Sequence, residues 1–95
     1  PDPLTVLRDA IRVTRQGGTL FFRDLLRPND DQTVLDLVET YAGQEDAHAQ
    51  QMFEDSLRAA LSMDEICEIV SSLGFSTSTV AATSDRHWTW SATHH

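Results

Sequence analysis

A chain of 95 residues carries one small domain at most, because folding at this length removes only a modest share of surface from water and leaves no material for a second core. With 40% hydrophobic and 23% charged residues, its composition is globular and excludes the disordered, collagen-like and coiled-coil classes. The formal charge of -8, from 15 acidic against 7 basic residues, repels phosphate backbones and anionic lipid, so neither nucleic acid nor a membrane surface is expected as a partner.

Asp2-Pro3 opens a helix, since a carboxylate can cap free N–H groups and proline suits the first helical position. Leu4, Leu7, Ala10 and Ile11 then share a face, while Arg8, Arg12 and Arg15 lie toward the favourable C-terminal end of the helix dipole. Gly17 supplies a left-handed stop. Residues 19–24 follow as a strand, and Leu20, Phe21 and Phe22 put large side chains on both of its faces, as in a parallel strand covered by helices on each side. After a turn at residues 27–31, Val34, Leu37, Val38 and Tyr41 recur at helical spacing up to Gly43. Ala49, Met52, Phe53, Leu57, Ala60 and Leu61 form a third helical stripe.

Ser62-x-x-Glu65 has the form of a capping box, and Ile66, Ile69, Val70 and Leu73 continue that helix to Gly74. Residues 76–83 are rich in threonine and valine and predict a strand. Ser84-Asp85-Arg86 supplies turn chemistry, and residues 87–93 return as a second strand with Trp88 and Trp90 on one face. No apolar run approaches the roughly 18–20 residues of a membrane span, and the N-terminus lacks a charged-then-apolar signal pattern. The lone Cys67 excludes an internal disulfide and suits a reducing cytoplasm. His94-His95 is compatible with a native end or with residues derived from a purification tag, a question that extends over residues 93–95, and receives no function.

The expected architecture is α/β, with about four helices and a small three-stranded mixed sheet: two parallel strands, joined by a right-handed crossover, and an antiparallel hairpin strand. In so small a sheet the strand at residues 19–24 lies at or near an edge, although its side chains are those of an interior strand. Such an apolar edge invites pairing with another chain. A missing neighbour is therefore expected, and residues 1–95 are read as a single incomplete domain.

The run Ala10-Ile-Arg-Val-Thr-Arg-Gln-Gly-Gly-Thr-Leu-Phe-Phe-Arg-Asp24 resembles the helix, double glycine and fifth strand of class I S-adenosylmethionine-dependent methyltransferases, which usually carry an A-x-R-x-L-x-P-G-G segment before an apolar strand. Phe53-Glu-Asp-Ser-Leu-Arg-Ala-Ala-Leu-Ser62 and Leu73-Gly-Phe75 are similar to that family's substrate-side insertion and sixth-strand entry, and Ser84-Asp-Arg-His-Trp88 to its final hairpin. Gln16 departs from the pattern by standing where proline is usual. The resemblance spans the chain but only the C-terminal part of the family's Rossmann-like fold. It implies a transferase that moves a methyl group from S-adenosylmethionine to a small molecule, with the cofactor-binding half upstream. The chain alone is then expected to hold no cofactor and to be inactive, its partner being the missing N-terminal half.

No nucleophilic triad, catalytic residue, cofactor-binding residue or metal site is assigned on this chain. Asp24 and Arg27 lie beyond the carboxyl end of the first strand, where open α/β sheets place ligands. They are substrate-side candidates, or else Asp24 caps a turn and Arg27 pairs with Asp30 or Asp31. Tyr41, with His48 and Met52, falls in the helical insertion that in the resembled family often covers the acceptor, and core packing is the alternative for Tyr41 and Met52. One imidazole beside Glu45 and Asp46 lacks defined metal-ligand geometry. Arg86 and His87 crowd the hairpin, and His87 has a proton-transfer role open to it, against a plain turn and strand start. The rival reading, from a different class, is a complete small acidic interaction domain that forms a homodimer, or pairs with another chain, through the edge of residues 19–24.

Overall fold

The computed structural model describes residues 2–94. The question of whether His95 is native or tag-derived lies outside these residues. The order is α1 (Pro3–Val13), β1 (Thr19–Leu25), α2 (Asp31–Ala42), α3 (Ala47–Ala59), α4 (Met63–Ser72), a 3-10 turn (Thr77–Thr79), β2 (Val80–Ala82) and β3 (His87–Thr93). Each α-helix starts on a capping side chain. Asp2, Asp30, Asp46 and Ser62 accept N–H bonds at the four N-termini, and Ser62 with Glu65 closes a full capping box.

Gly17 and Gly18 serve the entry to β1 in different ways. Gly17 has φ +82°, a region that side chains strain, whereas a Cβ on Gly18 would sit 2.7 Å from Thr14 Cγ2 and 2.9 Å from the Arg15 carbonyl oxygen. The Gly17 N–H also donates to the His94 carbonyl at 2.7 Å, and the His94 N–H to the Gly18 carbonyl at 2.9 Å, so His94 extends the ladder between β1 and β3.

The sheet has the order β1-β3-β2, and both of its ladders are antiparallel. The expected mixed sheet with parallel pairing is therefore corrected. β1 and β2 point the same way, but β3 lies between them and takes the ladder bonds of both. The long strand expected at residues 76–83 is also shorter, with only Val80–Ala82 in the ladder. Ser76 Oγ accepts the Ser78 N–H at 3.2 Å and Thr79 Oγ1 donates to the Ser76 carbonyl at 2.6 Å, so local side-chain bonds draw residues 77–79 into a 3-10 turn.

One sheet face is covered. Leu20, Val80, Trp88 and Trp90 are buried there with Leu7 of α1, Ile66 and Val70 of α4, and Phe75. Trp90 is fully buried; its indole N–H donates to Thr79 Oγ1 at 3.0 Å, and Phe75 meets it edge-on with ring centroids 5.2 Å apart. The other face is not covered as the apolar pattern of β1 predicts: among the described residues Phe21 stays 62% exposed, with Thr19, Arg23, Ser91 and Thr93 also exposed. A second cluster, Val34, Leu37 and Leu57, joins α2 to α3 and receives Leu25 from the end of β1. The expectation that the length leaves no material for a second core is corrected: α2 and α3 bury an apolar cluster of their own beside the one under the sheet, in an elongated molecule of 45 × 21 × 19 Å.

Candidate functional site

Three of the five candidates meet at the carboxyl end of β1. The Leu26 N–H donates to the Arg86 carbonyl at 2.9 Å, which fixes the turn between β2 and β3 beside that strand end. Tyr41, near the end of α2, donates its hydroxyl to Asp85 Oδ2 at 2.6 Å. The Arg86 guanidinium lies 3.7 Å from the centroid of the Tyr41 ring and donates to Asp85 Oδ1 at 3.0 Å. The three side chains close on one another and tie α2 to the turn between β2 and β3. The Tyr41 bond is the main cause that holds the Asp85 carboxyl below its ordinary value, and the same bond raises the Tyr41 hydroxyl.

His87 is half-buried next to this group, with Nδ1 2.8 Å from Ser84 Oγ and 3.5 Å from Arg23 Nη2. A guanidinium can only donate, so Nδ1 accepts and the ring proton sits on Nε2. Burial first, and then the charges of Arg23 and Arg86, lower the His87 pKa. This arrangement presents a neutral imidazole with an N–H donor at Nε2. It suits positioning of an oxygen acceptor better than abstraction of a proton through that nitrogen.

Asp24 and Arg27 stand apart from that cluster. Asp24 pairs with Trp88 across the ladder, on the covered face, and its Oδ1 accepts the Leu25 N–H at 2.7 Å. Arg27 reaches α4, with Nη2 2.9 Å from Glu65 Oε1, and does not take the expected partners Asp30 or Asp31. Those carboxylates are engaged otherwise: Asp30 caps α2, and Asp31 lies 2.7 Å from Arg58 Nη1. Glu65 is held below its ordinary pKa chiefly by the Ser62 N–H of the capping box, with the Arg27 charge adding to it. Met52 is 58% exposed and Tyr41 45%, so core packing accounts for neither. Asp46 is occupied as the cap of α3, and no three His, Cys, Asp or Glu side chains gather for a metal ion among the described residues.

An open cleft of about 620 Å³ adjoins Asp24. Pro3, Val6 and Leu7 of α1 form one wall, Ser56, Ala59, Ala60 and Leu61 another, and Phe22, Leu25, Ile66 and Trp88 the apolar remainder. Its size falls within the range of about 300–1,000 Å³ typical of small-molecule sites, and it lies beside the carboxyl end of β1. Comparison with family models, curated proteins and solved structures returns no match. The site therefore has to be read from its own residues. The cleft is not legible in the sequence because its walls come from five separated segments: α1, β1, the end of α3, α4 and β3.

Proposed function

We propose that this chain is the C-terminal part of a class I methyltransferase-like domain, Rossmann-like in its complete form. In this reading it supplies the acceptor-side wall, and an upstream half holds S-adenosylmethionine. The observation that carries the reading is the unfinished sheet: β1 is an edge strand in the order β1-β3-β2, yet it shows Phe21 to solvent. Leu26 bonds to Arg86, so alternation of the ladder turns the backbone groups of Thr19, Phe21 and Arg23 outward. Leu61 covers only the far end of that edge, through a parallel bridge to Leu26. An unpaired apolar edge is what a strand taken from within a larger sheet presents.

The connectivity is compatible with the same reading. Two strands of like direction linked through helices are the unit of a doubly wound sheet. A last antiparallel strand inserted between them fits the hairpin that the resembled family places at its end. Methyl transfer depends largely on holding donor and acceptor in line, so a wall of positioning groups such as Tyr41, Arg86 and His87 is the contribution expected of this part. Hydrogen exchange tests the reading on the polypeptide encoded by the uninterrupted reading frame. There the Thr19, Phe21 and Arg23 amides become protected, whereas in residues 1–95 alone they exchange as exposed groups. Equal exchange in the two polypeptides overturns it.

A further inference from the structure

We propose that the cleft beside Asp24 binds a small hydrophobic amine as its ammonium ion, with the charge held on the Asp24 carboxylate and the apolar body against the cleft walls. Asp24 is the one charged side chain lining the cleft among the described residues. Alternation along β1 puts its side chain on the same sheet face as Phe22, and both Phe22 and the cross-strand partner Trp88 are cleft wall. Asp24 is exposed, and its Oδ1 accepts the Leu25 N–H at 2.7 Å. Among the described residues its Oδ2 accepts no hydrogen bond, and Asp24 joins no ion pair. That oxygen is open to a ligand.

The rest of the lining decides the sign and the shape of the ligand. Ser56 donates its hydroxyl to the Met52 carbonyl at 2.9 Å, and the Trp88 indole N–H has no accessible surface, so neither brings a donor to a bound molecule. The cations on neighbouring segments are engaged elsewhere: Arg27 with Glu65 and the Ala60 carbonyl, and Arg58 with Glu54 and Asp31. A carboxylate with no cation of its own attracts a positive ligand and repels a negative one. Val6, Leu7, Leu25, Ala59, Ala60 and Leu61 give apolar walls, and a volume of about 620 Å³ suits a fused-ring body. The inference stands apart from the methyl-transfer reading, because these walls all belong to this chain.

Nuclear magnetic resonance of residues 1–95, titrated with three probes of like shape and different charge, tests it: naphthylmethylamine, naphthylmethanol and naphthoate. The amine should bind about fivefold more tightly than the alcohol, the upper reach of an exposed ion pair, and naphthoate should bind most weakly. Asp24→Asn keeps an acceptor for the Leu25 N–H and should bring the amine to the affinity of the alcohol. Glu39→Gln, which removes the same charge from an exposed position of α2, should leave the preference intact. Nuclear Overhauser contacts from the naphthyl protons to the Val6 and Ala59 methyl groups should place the ring in the cleft. Equal affinity for amine and alcohol, a preference that survives Asp24→Asn or is lost in Glu39→Gln, or contacts only with residues outside the cleft overturns the proposal.

Discussion

Tyr41 and Asp85 shift each other in opposite directions through one 2.6 Å bond, and this makes the pair a direct probe of the link between α2 and the hairpin. Tyr41→Phe should raise the Asp85 titration midpoint toward its ordinary value of 3.8, as followed by carbon NMR of the carboxyl group. No change would mean that the bond does not persist in solution. The carboxyls of Asp30, Glu65 and Asp85 are all depressed on folding, so the stability they contribute is present above their unfolded values and is lost as pH falls through the folded ones. His87 acts at higher pH: its folded value is lowered, so its contribution is complete above the ordinary 6.5 and declines as pH drops below it. His87→Gln should flatten the pH dependence of denaturation just below 6.5 while leaving the acid limb intact. His87, Arg86 and Tyr41 could each be picked out in the sequence. Their convergence could not, because Tyr41 and Asp85 are 44 positions apart.

The helices were the most legible elements, because their starting signals are local. Asp2-Pro3 and Ser62-x-x-Glu65 act within one turn of chain, and the structure uses both. Ser62→Ala should destabilise the fold by about 1 kcal/mol in urea denaturation, the usual cost of a lost cap. The strands were less legible, since a ladder depends on which neighbour arrives. Composition at residues 76–83 favoured a strand, but Ser76 captured the backbone locally and left three residues to pair. Likewise the direction of β2 relative to β1 could be read, but not that β3 would separate them. The two apolar clusters make a further distinction at this scale. Ile66→Ala, fully buried under the sheet, should cost about 3 kcal/mol and unfold the α/β layer, whereas Leu57→Ala should expose chiefly α2 and α3 to hydrogen exchange.

Over the whole molecule, a sheet covered on one face and open along one edge favours association. Residues 1–95 should therefore self-associate with rising concentration, and Phe21→Lys, on the exposed face, should hold them monomeric in sedimentation velocity. A monomer at all concentrations would argue against a sticky edge. Such association suits both an interrupted larger sheet and a self-sufficient interaction domain, so it does not choose between them. Calorimetric titration with S-adenosylmethionine chooses. The polypeptide of the uninterrupted reading frame should bind it stoichiometrically, and residues 1–95 alone should not bind it. Tight binding by residues 1–95, or no binding by the longer polypeptide, would contradict the methyl-transfer reading.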